Sequence, residues 1–98
     1  MKHPKSTEMM RGVRVLSVIS YPTGETTILK IGPVHPDGDG SFAWAEVIHT
    51  LPHNEIHPFA THMLIYDDEA GRFAFSHGDY FETVDGALAD FKHRTGGA

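Results

Sequence analysis

The stretch TVDGALADFKHR, residues 83–94, decides how the rest of the chain is read. Val84, Ala87, Leu88 and Phe91 fall at i, i+3, i+4 and i+7, one apolar stripe on a helical repeat. The Thr83 hydroxyl can cap the first turn. Asp85 places negative charge near the positive end of the helix dipole, and Lys92, His93 and Arg94 place positive charge near the other end. Gly96 and Gly97 then stop the helix. Nothing upstream has this period, and everything before it reads as strand and turn. The predicted fold is α+β: an antiparallel meander of about five strands with one C-terminal amphipathic helix packed on one face.

The strands follow from pattern and punctuation. Residues 12–20 carry Val13, Val15 and Ile19 on one side and Leu16 and Val18 on the other, which predicts a first strand covered on both faces. Tyr21-Pro22-Thr23-Gly24 reads as a turn, and the β-branched run 25–31 as a second strand completing a hairpin. Gly32-Pro33 ends it, and residues 34–40 read as a loop. Residues 41–50 alternate cleanly. Phe42, Trp44, Glu46 and Ile48 share the face expected to meet the helix, and the small residues Ala43, Ala45 and Val47 share the other with His49. Residues 51–59 are a connection in which Pro52 could open one helical turn. Residues 60–66 and 72–77 read as strands joined by the acidic loop Asp67-Asp68-Glu69-Ala70-Gly71, the strongest hairpin signal in the chain. Gly78-Asp79 is expected to turn the chain toward the helix.

Ninety-eight residues suit one domain. Residues 1–10, polar and carrying Pro4, read as a flexible N-terminal arm, and 11–98 as a single α+β domain. The chain has no cysteine, which removes disulfide frameworks, thiol nucleophiles and cysteine metal sites together and fits a cytoplasmic location. No apolar run approaches the length needed to span a membrane, so no membrane partner is expected. The formal charge is −5 and unevenly placed. Residues 1–14 carry Lys2, Lys5, Arg11 and Arg14 against Glu8, while the remaining residues are strongly acidic. An acidic body repels phosphate backbones and argues against nucleic acid as a partner.

Several clusters invite a chemical reading. There are eight histidines, and His49, His53, His57 and His62 lie close in sequence. A histidine-dependent metal site or small enzyme centre would draw on these four. The zinc-protease pattern is absent, because Asn54 rather than glutamate follows His53. Asp37-Gly38-Asp39-Gly40 has two carboxylates at calcium-loop spacing but lacks the other ligands, so it reads as a turn. Glu46, among apolar neighbours, would have a raised pKa if buried and could exchange a proton with His62 or His77 on an adjacent strand. Phe73, Phe75, Tyr80 and Phe81 read as core, since the basic residues of an RNA-stacking sheet are missing.

No motif fixes a chemistry, and no catalytic residue or cofactor is assigned. The functional expectation is a small cytoplasmic protein-interaction module, immunity- or inhibitor-like, whose acidic loops face a basic partner. Trp44, Glu46, Asp67, Asp68 and Glu69 form its candidate binding surface. The alternative is the histidine-dependent domain built on His49, His53, His57 and His62. Strands apolar on both faces, with one helix to cover them, also predict a homodimer that hides the second face.

Overall fold

The computed structural model describes residues 5–21, 24–37 and 41–96. Its elements run α1 (Lys5–Arg11), β1 (Val18–Tyr21), β2 (Gly24–Ile31), β3 (His35–Asp37), β4 (Phe42–Thr50), β5 (Phe59–Asp67), β6 (Arg72–Phe81) and α2 (Val84–Arg94). The strands form one antiparallel sheet in the order β1-β2-β4-β5-β6, with β3 paired to β4. The sheet curls into a half-barrel, so that β1 and β6, the ends of the order, approach each other. This is the expected α+β meander with a C-terminal helix. The Pro22-Thr23 turn, the Gly38-Asp39-Gly40 segment, Gly97 and residues 1–4 lie outside the described residues.

Alternation along β4 builds two cores. Ala43, Ala45, Val47 and His49 point into the curl, where Val13, Ile19, Ile28, Leu64 and Tyr66 join them. Phe42, Trp44, Glu46 and Ile48 point outward, and α2 packs on that side through Ala87 and Phe91 against Ile48. The cap falls as expected: the Thr83 hydroxyl accepts from Gly86 N at 3.2 Å. Thr95 is the last half-helical residue, and Gly96 follows at φ 101. The stripe is only half used. Val84 is 41% and Leu88 40% exposed, so the helix rests on Ala87 and Phe91 alone.

Residues 1–10, expected as a flexible N-terminal arm, include most of a helix in their described part. Residues 5–11 form a helix whose Ser6 and Met10, four apart on one face, are fully buried. Met10 seats in the inner core, with Met9 packed beside it. Gly12 N bonds back to the Glu8 and Met9 carbonyls and closes the helix. This second helix covers the small-residue face, which is the face whose exposure motivated the homodimer.

Other boundaries shift for local reasons. The first strand begins at Val18 rather than residue 12. Leu16 sits at φ 70 in a turn where Ser17 N bonds Arg14 O at 3.0 Å. Leu16 N and Ser17 O both bond Ile28, two residues opposing one, which is a bulge that ends the pairing. Past Gly32-Pro33 the chain returns to strand: Gly32 N bonds Glu46 O at 2.9 Å, and β3 continues along the same edge of β4 as β2. Among residues 51–58 there is no helix. Asn54 Oδ1 accepts from Ile56 N and His57 N, and Leu51 N bonds Pro58 O. The last strand runs through Gly78-Asp79 instead of turning there. His77 (φ 52) and Gly78 together oppose His62, a second bulge.

The two cores can be tested separately. Phe91→Ala should cost about 3–5 kcal/mol and Met10→Ala about 2–5 kcal/mol, both read from denaturant midpoints. A Met10→Ala midpoint equal to wild type would mean that α1 contributes nothing to the inner core.

Candidate functional site

The outer sheet face is covered unevenly. Helix α2 sits over Ile48, Phe59 and Phe81. Farther along the same face, Trp44 pairs with Ile65, Glu46 with Met63 and Phe42 with Asp67. Phe42, Trp44, Met63 and Ile65 are each partly exposed, and neither core includes them. Beside them a cleft of about 300 Å3 is lined by Pro33, His35, Trp44, Glu46, Arg94 and Thr95. His35 lies against the indole, with ring centroids 4.3 Å apart and planes tilted by 30°.

Arg94 lines this cleft and is held by three carboxylates. Its Nη1 donates to Glu46 Oε1 at 3.0 Å, Nη2 to Asp79 Oδ2 at 3.0 Å and Nε to Asp90 Oδ2 at 2.7 Å. Asp90 Oδ2 also accepts from the hydroxyl of the fully buried Thr61 at 2.6 Å. Burial pushes the Asp90 carboxyl up, but the bonds from Thr61 and Arg94 outweigh it and hold the group below its ordinary range. Burial opposes the charge on Arg94 as well, and its three carboxylates more than restore it. The expected proton partner of Glu46 is therefore corrected: its partner is a guanidinium. His62 lies on the opposite face, paired with Val47, and His77 Nδ1 bonds the adjacent Ser76 hydroxyl.

Inside the curl the polar groups form a directed chain. The Thr26 hydroxyl bonds the Thr50 carbonyl, which can only accept, so the hydroxyl hydrogen is committed there. Thr26 Oγ1, 2.8 Å from His49 Nδ1, must then accept from an Nδ1–H. His49 Nε2 is left as an acceptor, and His62 Nδ1, 2.7 Å away, must donate to it. One carbonyl thus sets both tautomers and leaves the lone pair of His62 Nε2 at the end of the chain. Phe75 stacks on His49 at 4.3 Å, and Tyr80 meets His62 edge-on at 5.7 Å. The His62 ring lies over Gly78, where a Cβ would come within 1.9 Å of Nε2. Burial, followed by the neighbouring His62, lowers His49 to about 4. Burial and then the Arg94 charge lower His62, against a smaller pull from Asp79.

The structure gathers part of each expected set. Trp44, Glu46 and Asp67 share the outer face, and Asp68 and Glu69 form the turn beyond Asp67. Asp67 Oδ1 accepts from Glu69 N and Ala70 N, so it holds that turn together. Of the four histidines only His49 and His62 meet. His53 lies in the 51–58 connection, where it lines a shallow pocket with Glu25 and Tyr80, and His57 bonds Asn54 through its amide. Among the described residues no three histidine, aspartate or glutamate side chains are grouped to hold a metal ion. Sequence reasoning missed Arg94, read only as a dipole partner, and Thr26. The face shared by residues 44, 46 and 48 with the helix end was the available signal for Arg94. The chain matches no protein-family model, no curated protein and no solved structure.

Two results test the inner chain. Both histidines have lowered pKa values, so the unfolded chain binds more protons than the folded one as pH falls. Their stabilisation is complete above the unfolded value of 6.5 and is lost on acidification toward about 4 for His49. Stability should fall by up to about 1.4 kcal/mol per pH unit per histidine in that window, and His49→Gln should flatten the profile. Gly78→Ala should cost about 1–3 kcal/mol by overpacking. Most of that cost should vanish in a His62→Ala background, and equal costs in both backgrounds would refute the ring-on-glycine contact.

Proposed function

We propose that this protein is a small interaction module that docks a basic segment of another protein on the uncovered part of its outer sheet face. The observation that carries this reading is the grouping of Phe42, Trp44, Met63 and Ile65 outside both cores. Apolar side chains cost free energy where they meet water, and a partner that covers them recovers it. An aromatic anchor beside a cleft is the common form of a binding hot spot.

Charge selects the kind of partner. On this face the strands carry Asp37, Glu46, Asp67 and Asp79 against Lys30 and Arg72, and Asp90 and Arg94 of α2 cancel. Four carboxylates against two cations leave two negative charges, which favour a basic segment. A second copy would bring the same negative face against itself, which disfavours the homodimer here. An inhibitor-like role, blocking a basic surface, suits this arrangement. The histidine-dependent alternative draws less support, because the two paired histidines are buried and bonded to each other.

The test is selection from a random peptide display library on the full chain, with counter-selection on Trp44→Ala. Enrichment of peptides that combine apolar residues with lysine or arginine, lost on Trp44→Ala while that variant still melts cooperatively, is the expected outcome. Sedimentation showing a dimer at micromolar concentration that Trp44→Ala dissociates would instead assign the face to self-association.

A further inference from the structure

We infer that the cleft beside Trp44 is a receptor for one cationic side chain, a lysine or arginine of the docked segment. This rests on the docking reading above and names the group that enters the cleft. The cleft supplies both elements such a group needs. Trp44 supplies an indole ring to the cleft lining, with His35, also in the lining, packed against it at 4.3 Å. Glu46, whose side chain is 15% exposed, offers a carboxylate.

The charge around Arg94 is overmatched. Glu46, Asp79 and Asp90 surround the single Arg94 guanidinium, three negative charges on one positive. Lys30 is also on this side of the sheet, its ammonium 5.7 Å from the centre of the Phe91 ring. Counting it still leaves one net negative charge. Only one Glu46 oxygen, Oε1, bonds Arg94. A carboxylate has further lone pairs to accept from an incoming cation. Arg94 itself does not invite an anion, because the three carboxylates bonded to it outweigh its single positive charge. A cleft of about 300 Å3 admits a side chain rather than a folded surface.

Trp44 is the only tryptophan in the chain, so its fluorescence reports the cleft directly. The probes are N-acetyl-arginine amide and N-acetyl-lysine amide, with N-acetyl-citrulline amide as the uncharged shape match and N-acetyl-glutamate amide as the anion. The cationic probes should change the emission with a dissociation constant on the order of 1–10 mM. Binding should weaken with added salt, and citrulline and glutamate should bind at least about tenfold more weakly. Glu46→Gln should weaken arginine by about tenfold. Because that variant also loosens Arg94, the comparison of arginine with citrulline on the unaltered protein stands independently of it. Equal binding of citrulline, or preferred binding of glutamate, would overturn the cation receptor. Display-selected peptides that need Trp44 but carry no lysine or arginine would overturn it while leaving the docking surface standing.

Discussion

The guanidinium of Arg94 is the constraint on which the outer half of the structure depends. Helix α2 buries only Ala87 and Phe91, too little apolar surface to fix its position along the sheet. The remaining specification is electrostatic. Arg94 ties the helix end to Glu46 on β4 and Asp79 on β6, and Asp90 ties the same helix to Thr61 on β5. Mostly buried charges gain only if their partners offset lost hydration, and here the bonds are short and several. The result is directional: α2 can sit in one place on three strands. That place keeps α2 off the Trp44 end of the face.

The inner half is held by different physics. Residues of very small volume on β4, Ala43 and Ala45, let the sheet curl around a core that Met10 closes from above. Within it, Thr26, His49 and His62 satisfy one another in a fixed order. A buried polar chain with every link made specifies one arrangement of its strands, since any slip would strand a donor. The bulge at His77 and Gly78 belongs to the same device. It puts a residue without a side chain under the His62 ring, where nothing larger fits.

What was legible in the sequence was whatever depended on local period and punctuation. The residue 83–94 helix, the alternation of β4 and the acidic hairpin all emerged as read. What failed depended on distant partners. Helix α1 shows one polar turn and two methionines, and only the concave sheet gives Met10 a reason to be ordered. The first strand looked longer because Leu16, β-compatible by type, occupies a left-handed turn position usually left to glycine. The histidines misled by their spacing. Residues 53 and 57 seemed to extend a cluster, whereas strand register joins 49 to 62 diagonally across the β4–β5 ladder. Parity on the two strands could have paired them, since His49 and His62 both sit on the small-residue face. Glu46 stood out in the sequence for its apolar neighbours, but its guanidinium partner is forty-eight residues away.

These two polar systems divide the molecule's chemistry. The inner chain ends on a histidine lone pair, which in principle is a base, yet His62 is 9% exposed and its ring lies against the backbone of Gly78. A general base must come within hydrogen-bond reach of the proton it takes, and this geometry spends the histidines on one another and on the fold. The outer system is the reverse. Its charges are already paired, so the cleft geometry is set before anything enters it. A segment docking there as proposed would meet side chains whose ordering cost is already met on folding. The same guanidinium that positions α2 also bonds Glu46 in the cleft lining beside Trp44. Under the proposed docking, stability and recognition would share one residue, Arg94, whereas His49 and His62 are bonded to each other inside the curl.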